Sequence, residues 1–533
     1  MPSAPSPGPL IRPEDLAFLE PIARLHTVCP FDPLWDDLVD AALRLRPARR
    51  DVPVATRDGA LSDDLARLSA PLATLITTIA ADLAHGKEGT PRELAFYQGA
   101  ALYVLWEQYG RELQVLIDQD EVGAPFYRAF EESHRFLFAA AQLPVPEPAH
   151  LLALYYQARR TWHFAATRIL GRSRSAAAAR VGLWRANMGR DVCAYADGLY
   201  HRMDETPVLI TGETGTGKDL AAQCVGWSRY IPFDPVARRF ARRATEDFHA
   251  RNLCEVPGEL LASALFGHRR GSFTGATTDA TGYLALAAEY GTLFLDEVGE
   301  IPEHVQAQLL RPFQNREYVP VGETRPRKML GRLVFATHRD LKERCGEGKF
   351  RPDLYQRIKG LSIHMPPLRQ MLAEAPGEME HYVRAFVAEK IDSPARVDDW
   401  TERVVRAVQA TQGEYAWPGN LRELRSWTER QILTGGPPSG REGGGPVPMS
   451  PLPEGTGAAP ASTCVPSSGI LGRRAKAGEV TLEEVNRAFV TRVYVATNLN
   501  KAETARRLGL DTRTVQRLLD PVLLARLLGE RKK

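Results

Sequence analysis

Apolar residues in the first third of the chain recur at intervals of three or four positions. One run consists of Leu61, Leu65, Leu68, Leu72, Leu75, Ile79 and Leu83, and a second of Leu94, Tyr97, Leu102, Leu105, Tyr109, Leu113 and Leu116. Because this spacing places side chains on one face of an α-helix, residues 1–180 are predicted to form an α-helical domain. Pro71 lies inside the first run and is expected to kink or divide that helix.

Aromatic side chains are dense in the same helical region. They are Phe96, Tyr97, Tyr103, Trp106, Tyr109, Phe126, Tyr127, Phe130, Phe136 and Phe138. At helical spacing such residues usually fill a core, which is the interpretation we favour over a pocket for a sensed ligand. The acidic cluster and downstream lysine of a phosphoacceptor receiver domain are not apparent, so the sequence names no inducing signal.

From residue 206 onward, short apolar runs alternate with longer helical segments. The runs are PVLIT (207–211), GTLFLDE (291–297) and RLVFAT (332–337). This alternation predicts an α/β domain with a parallel sheet.

Residues 435–470 are rich in Gly and Pro and are predicted to be a linker. Residues 471–533 carry 14 Lys or Arg against 7 Asp or Glu, which marks a basic module.

Composition limits the class of protein. With 533 residues the chain exceeds what one hydrophobic core organises and is expected to be multidomain. The 44% hydrophobic and 25% charged residues exclude wholesale disorder, collagen and a coiled-coil rod. The net charge of +3 means that any nucleic-acid contact must come from a local patch. Scattered cysteines, no apolar run long enough for a membrane and no signal segment favour a cytoplasmic protein without membrane contact.

A phosphate-binding loop follows the strand-like run at 208–210. Its residues are Gly212, Glu213, Thr214, Gly215, Thr216, Gly217, Lys218 and Asp219. Glycines in a strand–loop–helix context let backbone N–H groups point at phosphates, and the lysine reaches the outer ones. Asp219 stands where a Ser or Thr usually contacts Mg²⁺. The alternative is an ordinary glycine-rich turn.

A second motif decides in favour of nucleotide chemistry. The apolar strand at 293–295 ends in Asp296 and Glu297. Asp296 can hold Mg²⁺ and Glu297 can polarise an attacking water, so the two motifs together predict an ATPase that uses ATP and Mg²⁺.

Residues 265–276 read LFGHRRGSFTGA. This string resembles the LFGH…GAFTGA element of bacterial enhancer-binding proteins, the AAA+ activators of sigma-54 RNA polymerase. The similarity continues, in the family's order, through GTLFLDEVGEIP (291–302), FRPDLYQRI (350–358), MPPLRQ (365–370) and YAWPGNLREL (415–424). The resemblance implies an AAA+ α/β subdomain over residues 181–365 and a helical lid over residues 366–434.

The resemblance also implies roles for single residues. Gly271, Ser272, Phe273, Thr274, Gly275 and Ala276 would form the surface loop that engages sigma-54, with Phe273 and Thr274 at its tip and Ser272 in place of the family's Ala. Arg351 and Arg357 would be arginine fingers that reach a neighbour's γ-phosphate, which implies a ring, expected to be a hexamer, with a dimer conceivable in the inactive state. For each arginine the alternative is a surface salt bridge within the chain.

Three further positions complete the implied motor. Arg422 would be the lid's sensor arginine, and Asn252 would link Glu297 to the state of the phosphate. His338 occupies the place of the family's sensor Asn, so hydrolysis could be slower or pH-sensitive.

The Arg-rich stretch between Ser228 and Phe248 is longer than in the family, and we interpret it as a solvated charged face.

Residues 500–519 read as helix, glycine-containing turn and helix, a helix-turn-helix. The residues expected to face DNA are Lys501, Thr512, Arg513, Thr514, Gln516 and Arg517. The segment also resembles the Fis-type module of enhancer-binding proteins, which implies a dimeric module on a roughly two-fold site. The alternative is a small helical dimerisation hairpin.

Taken together, the sequence predicts an ATP-dependent activator that binds enhancer DNA and remodels closed complexes of sigma-54 RNA polymerase. Two alternatives stay open. One is an AAA+ DNA-binding regulator or repressor that does not act through sigma-54. The other is a remodelling ATPase whose tail serves only for oligomerisation.

Overall fold

The computed structural model describes residues 9–45, 63–140, 143–375, 377–412 and 415–434, and near the C-terminus residues 487, 490–491, 493–495, 497, 499–508 and 512–519. The chain divides into two compact units, Met1–Gly443 and Gly444–Lys533. The predicted linker at 435–470 lies outside the described residues. Within the described residues, no helix combines the length and hydropathy needed to cross a bilayer.

Nine helices of the described residues precede the first strand. They are α1 Pro13–Leu25, α2 Pro33–Leu45, α3 Asp63–Ala84, α4 Pro91–Gln108, α5 Gly110–Gln119, α6 Tyr127–Phe138, α7 Pro148–Arg168, α8 Arg174–Met188 and α9 Val192–Asp197. The expected helical region is therefore confirmed, and α8 runs across the predicted boundary at residue 180. Pro71 does not divide α3, because Leu68, Leu72 and Ile76 are buried on both sides of it and packing outweighs the lost backbone bond.

Eleven strands lie in the described part of the α/β domain. They are β1 Val208–Thr211, β2 Phe233–Asp234, β3 Arg239–Phe240, β4 Phe248–Asn252, β5 Gly267–His268, β6 Ala280–Thr281, β7 Thr292–Asp296, β8 Glu317–Tyr318, β9 Arg327–Lys328, β10 Arg332–Thr337 and β11 Leu361–His364. Five of them form a parallel sheet in the order β11-β1-β10-β7-β4, as the alternating pattern predicts. Loops that follow β1, β7 and β10 therefore meet at the carboxyl edge of the sheet, where ligands bind in such folds.

Helices of the described residues cover the sheet and form a lid beyond it. Those of the α/β part are α10 Lys218–Trp227, α11 Gly258–Phe266, α12 Glu303–Asn315, α13 Leu341–Gly346 and α14 Pro352–Ile358. Those of the lid are α15 Leu368–Glu374, α16 Glu378–Ala388, α17 Pro394–Gln412 and α18 Asn420–Thr434. The lid has its own core, with Trp417, Leu424 and Tyr382 fully buried.

The N-terminal helices share a core with the α/β domain. One apolar cluster runs from α1 and α3 to Ile210 of β1 and Val225 of α10. Arg160 of α7 is fully buried and donates to the carbonyl oxygens of Trp227 and Arg229 at 2.7 Å each, just where α10 ends. The helical region is therefore packed directly on the helix that follows the phosphate loop.

The Arg-rich stretch between Ser228 and Phe248 forms the β2–β3 hairpin. The expected solvated charged face describes only part of it: Arg238 and Arg239 are exposed, but Phe240 is buried and stacks on Tyr156 of α7 at 4.1 Å between ring centroids. The Phe240 N–H also donates to the Val122 carbonyl at 2.8 Å. Aromatic burial thus turns this stretch into a second attachment between the α/β domain and the N-terminal helices.

In the C-terminal unit the structure describes two helices, α19 Lys501–Leu508 and α20 Thr512–Leu518. Ala505 and Val515 are buried between them, as expected for a packed helix pair. The connecting turn at 509–511 and the side chain of Arg513 lie outside the described residues. Lys501 Nζ donates to Gln516 Oε1 at 3.0 Å. Of the other residues expected to face DNA, Thr512, Gln516 and Arg517 are exposed and Thr514 is half-buried.

Candidate functional site

The phosphate loop, residues 212–219, connects β1 to α10. Gly215 and Gly217 have φ values of 81° and 92°, the left-handed region that glycine adopts without strain. A Cβ on Gly215 would lie 2.1 Å from the carbonyl oxygen of Gly419 in the lid. Only glycine therefore fits at position 215, both for its backbone angle and for the approach of the lid.

Lys218 begins α10 and is 5% exposed. Its Nζ donates to the carbonyl oxygens of Gly212 at 3.0 Å and Glu213 at 3.2 Å, which holds the ammonium inside the curve of the loop. Burial lowers the pKa of Lys218, and the nearby carboxylates of Glu297, Asp296 and Asp219 oppose that shift. The loop thus presents one cation beside three carboxylates.

The two acidic residues stand at the carboxyl end of β7. Asp296 is the last residue of the strand, and burial, followed by the charge of Glu297, raises its pKa. Glu297 has φ 58° and its N–H donates to Asp296 Oδ1 at 2.9 Å. His338, which follows β10, lies with Nδ1 2.7 Å from Glu297 Oε2. The residue in the sensor position therefore contacts the carboxylate expected to activate water.

Asn252 ends β4 directly opposite Asp296 on β7. Its Oδ1 accepts a hydrogen bond from the Cys254 N–H at 3.0 Å and caps the short turn at Leu253–Glu255. The structure thus brings Asn252 to the acidic pair through the sheet register. Asn252, which is expected to link Glu297 to the phosphate, is instead hydrogen-bonded to Cys254 in the loop that follows it. The carboxylate of Glu297 contacts His338.

The lid is fastened to the phosphate loop by Asn420. This residue is fully buried; its Nδ2 donates to the Thr214 carbonyl at 3.0 Å and its Oδ1 accepts from the Leu368 N–H at 2.7 Å. Arg369 pairs with both oxygens of Glu213 at 2.5 and 2.7 Å, which lowers the pKa of that carboxyl. Sequence reasoning missed Asn420, although it lies inside the WPGNLREL string.

A cavity of about 470 Å³ opens between the loop, the lid and the end of α7. Arg422 lines it, and the Arg422 N–H bonds to the Gly215 carbonyl at 3.3 Å. The walls also include apolar residues for which the sequence predicted no role: Ile169, Leu170, Met365, Phe386 and Leu421. A lining that combines phosphate-loop residues and Arg422 with these apolar side chains suits a nucleotide, which has a phosphate tail and a flat base.

The contact loop, residues 271–276, projects from the β5–β6 stem. Phe273 and Thr274 at its tip are exposed, and the Phe273 ring lies 4.9 Å from the His268 ring, edge to face. The Gly271 N–H donates to the Ala276 carbonyl at 2.9 Å and closes the loop. A Cβ on Gly271 or Gly275 would meet nothing within 4 Å. The two glycines therefore have open space around them, whereas Ser272 lies so near Gly322 that a Cβ on that glycine would meet the Ser272 Cβ at 2.7 Å.

The two expected arginine fingers lie at the two ends of α14, which packs against α12 and α13. Arg357 is exposed in the last turn of the helix. Arg351 occupies the N-cap position of the helix and forms an ion pair with Asp353 at 2.8 Å, which is the salt bridge within the chain that the alternative interpretation expects.

A parallel sheet with a phosphate loop, an acidic pair and a helical lid defines a P-loop domain of the AAA+ ATPase type. Residues 192–364 match the family model described as "Sigma-54 interaction domain". Residues 192–364 are thus similar to sigma-54 interaction domains, and the resemblance to sigma-54-dependent activators is confirmed.

Curated relatives agree with this assignment. The DNA-binding transcriptional regulator NtrC of Rhizobium meliloti (strain 1021) is 37% identical over 223 residues, 42% of this chain and 42% of that protein. NtrC of Azospirillum brasilense is 34% identical over 336 residues, 58% of this chain and 63% of that protein. The Nif-specific regulatory protein of Azospirillum lipoferum is 38% identical over 226 residues, 42% of this chain and 33% of that protein. The chain thus spans less than two thirds of each of these relatives.

Proposed function

We propose that this chain is an ATP-dependent transcriptional activator that binds enhancer DNA and remodels closed complexes of sigma-54 RNA polymerase. One observation carries the proposal: a single domain holds a nucleotide site and, on a separate stem, a loop that has an exposed tip and the family's contact sequence. A nucleotide site alone would support any P-loop ATPase. The exposed loop adds a contact surface for a target protein, so the proposed function includes binding to such a protein.

ATP is the proposed substrate. Lys218 and the phosphate-loop N–H groups would hold its phosphates, and Glu297 would orient the attacking water once it leaves His338. Asp296 and Asp219 are carboxylates beside Lys218, which suits Mg²⁺, an ion usually held by one or two carboxylates together with substrate phosphates. When bound, Mg²⁺ neutralises charge on the phosphates.

The site is proposed to be complete only in a ring, expected to be a hexamer. Arg357, exposed on α14, would reach the γ-phosphate held by a neighbouring copy. Arg351 would have to exchange its Asp353 partner for that phosphate. Because ATP then binds between subunits, ATP binding and assembly would favour each other.

A structural change at the nucleotide site would be transmitted to the contact loop through consecutive elements of the chain. Asn252 opens the short turn that leads into α11, and α11 passes directly into β5 and the stem of the loop. A change in the bonds of Asn252 and Glu297 would therefore shift the base of the loop and press Phe273 and Thr274 against sigma-54.

The C-terminal unit is proposed to bind the enhancer as a helix-turn-helix. Support comes from the basic charge of residues 471–533 and from the exposed side chains of Thr512, Gln516 and Arg517 on α20. Thr514 and Arg513 belong to the same helix. A two-fold DNA site with half-sites about 34–36 Å apart would follow from a dimeric module.

Transcription in vitro with sigma-54 polymerase tests the proposal. We expect Lys218→Ala to lose both ATP hydrolysis and transcription, and Thr274→Ala to keep hydrolysis and lose transcription. Thr278→Ala, at another exposed threonine just beyond the loop, is the matched control and should keep both. Normal transcription from Thr274→Ala would refute the role of the loop and favour the regulator that does not use sigma-54.

A further inference from the structure

A second cavity lies in the N-terminal helical region, away from the nucleotide site. Its volume is about 330 Å³, and α1, α2, α4, α7, α8 and α9 contribute to its walls. Six aromatic side chains line it: Trp35, Tyr103, Trp106, Tyr155, Trp162 and Trp184. We call it the tryptophan cavity.

The tryptophan cavity is too large to be a packing defect. Protein cores hold few voids larger than one water molecule, whereas small-molecule sites begin at about 300 Å³. Apart from tyrosine hydroxyls and tryptophan N–H groups, the polar side chains of the lining are His26, Gln98, Cys193 and Asp197, and the last two are exposed residues of α9. The interior is therefore apolar and aromatic, with α9 at the mouth.

The surroundings define the charge of a suitable ligand. The guanidinium of Arg159 lies 5.9 Å from the centre of the Trp106 ring and 5.6 Å from that of Trp162, so it already occupies a face of each ring. A cationic ligand would lose its hydration in this apolar space. An anion would lose its hydration in an apolar space and meet Asp197 at the mouth.

We propose that the tryptophan cavity is the binding site of a small uncharged aromatic molecule, whose presence is transmitted to the phosphate loop. The transmission follows from α7, which supplies Leu154, Tyr155 and Trp162 to the cavity wall and Arg160 to the end of α10. Since α10 begins at Lys218, a shift of α7 caused by the ligand would bear on the helix that holds the phosphate site. The regulation of the nucleotide site by this ligand rests on the proposed function, but the binding of the ligand to the tryptophan cavity does not.

The test uses the full chain and N-phenyl-1-naphthylamine, an uncharged aromatic probe whose fluorescence rises when it leaves water. We expect one saturable site per chain. Ala158→Phe fills the cavity from α7 and Ala196→Phe narrows it at α9, so each should weaken binding at least tenfold. Ala129→Phe, at an exposed position on α6, is the matched control and should bind like the wild type.

Two results would overturn the site: no saturable binding to the wild type, or unchanged binding by both filled variants while circular dichroism shows that they are folded. Naphthalene-1-sulfonate and 1-naphthylmethylammonium should compete at least tenfold less well than naphthalene, and equal competition would refute the preference for an uncharged ligand.

Hydrogen exchange tests the transmission without ATP. Saturating probe should slow exchange in α10 of the wild type but not of Ala158→Phe, and an unchanged α10 would refute the link to the phosphate loop.

Discussion

The phosphate loop and the contact loop are two glycine-containing loops of one domain, and they use glycine differently. Gly215 and Gly275 both have positive φ, at 81° and 98°. Around Gly215 the lid approaches so closely that a Cβ would meet the Gly419 carbonyl at 2.1 Å, whereas a Cβ on Gly275 would meet nothing within 4 Å. Gly215 is thus enclosed by the lid, whereas Gly275 lies in open space.

The difference separates two tasks. A loop that must position phosphates to within a fraction of an ångström needs support from several elements, and the phosphate loop receives it from Asn420, Arg369 and its own lysine. A loop that must meet a partner needs exposed anchors on a short stem. Variants in the first loop should therefore change catalysis, and variants in the second should change only the encounter with the partner.

The largest expected effect concerns an exposed arginine that is proposed to act on a neighbouring copy of the chain. Arg357→Ala should lower ATP hydrolysis by about 10³–10⁵-fold, because an arginine finger stabilises charge on the transferring phosphoryl group. Mixing Arg357→Ala with Lys218→Ala subunits should restore part of the rate, since each supplies what the other lacks. Arg396→Ala, an exposed arginine on α17, serves as control. An active Arg357→Ala protein would contradict the ring-based site.

The next effect compares the two glycines directly. Gly215→Ala combines backbone strain of about 1–2 kcal/mol with a clash of about 1–3 kcal/mol, so hydrolysis should fall about 10²-fold. Gly275→Ala carries only the strain and lies far from the nucleotide, so hydrolysis should stay within about threefold of wild type. Steady-state ATPase rates measure both. Equal losses in the two variants would remove the distinction between the loops.

A smaller effect is expected from His338. Its contact with Glu297 resembles a hydrogen bond worth about 1 kcal/mol, which must break before Glu297 can orient water. We therefore expect His338→Asn to hydrolyse ATP about fivefold faster. His304→Asn, exposed on α12, should change nothing. A slower His338→Asn protein would show instead that the histidine assists hydrolysis.

The smallest effect should come from the tip of the contact loop. Phe273→Ala removes an exposed ring, so the free energy of unfolding of the first unit should change by no more than about 0.5 kcal/mol in urea denaturation. Phe266→Ala, only seven residues earlier but buried, should cost about 3–5 kcal/mol. A large loss of stability from Phe273→Ala would mean that the ring belongs to the core rather than to an interface.

Local chemistry explains which features the sequence could predict. Three features each lie within a few consecutive residues: the phosphate loop, the acidic pair after β7 and the contact loop. A sequence motif can therefore identify each of them. Helical periodicity likewise predicts the N-terminal helices. The continuity of α3 through Pro71 depends on burial of its neighbours, which periodicity does not measure.

Features that join distant segments were not predictable in this way. The bond between Asn420 and Thr214 spans 206 residues, and the contact of Glu297 with His338 spans 41. The aromatic residues illustrate the same limit: Tyr97 and Phe130 fill the core as expected, while Tyr103 and Trp106 line the tryptophan cavity. One helical spacing produces both outcomes, and only the packing of other helices decides between them.

Promoter opening measures the central claim most directly. Permanganate reactivity of a sigma-54 promoter should appear when polymerase, enhancer DNA, this protein and ATP are combined, and it should be absent with a non-hydrolysable ATP analogue. That result would join the nucleotide site to the contact loop in one reaction. Opening that proceeds equally well with the analogue, or no opening with ATP, would contradict the account.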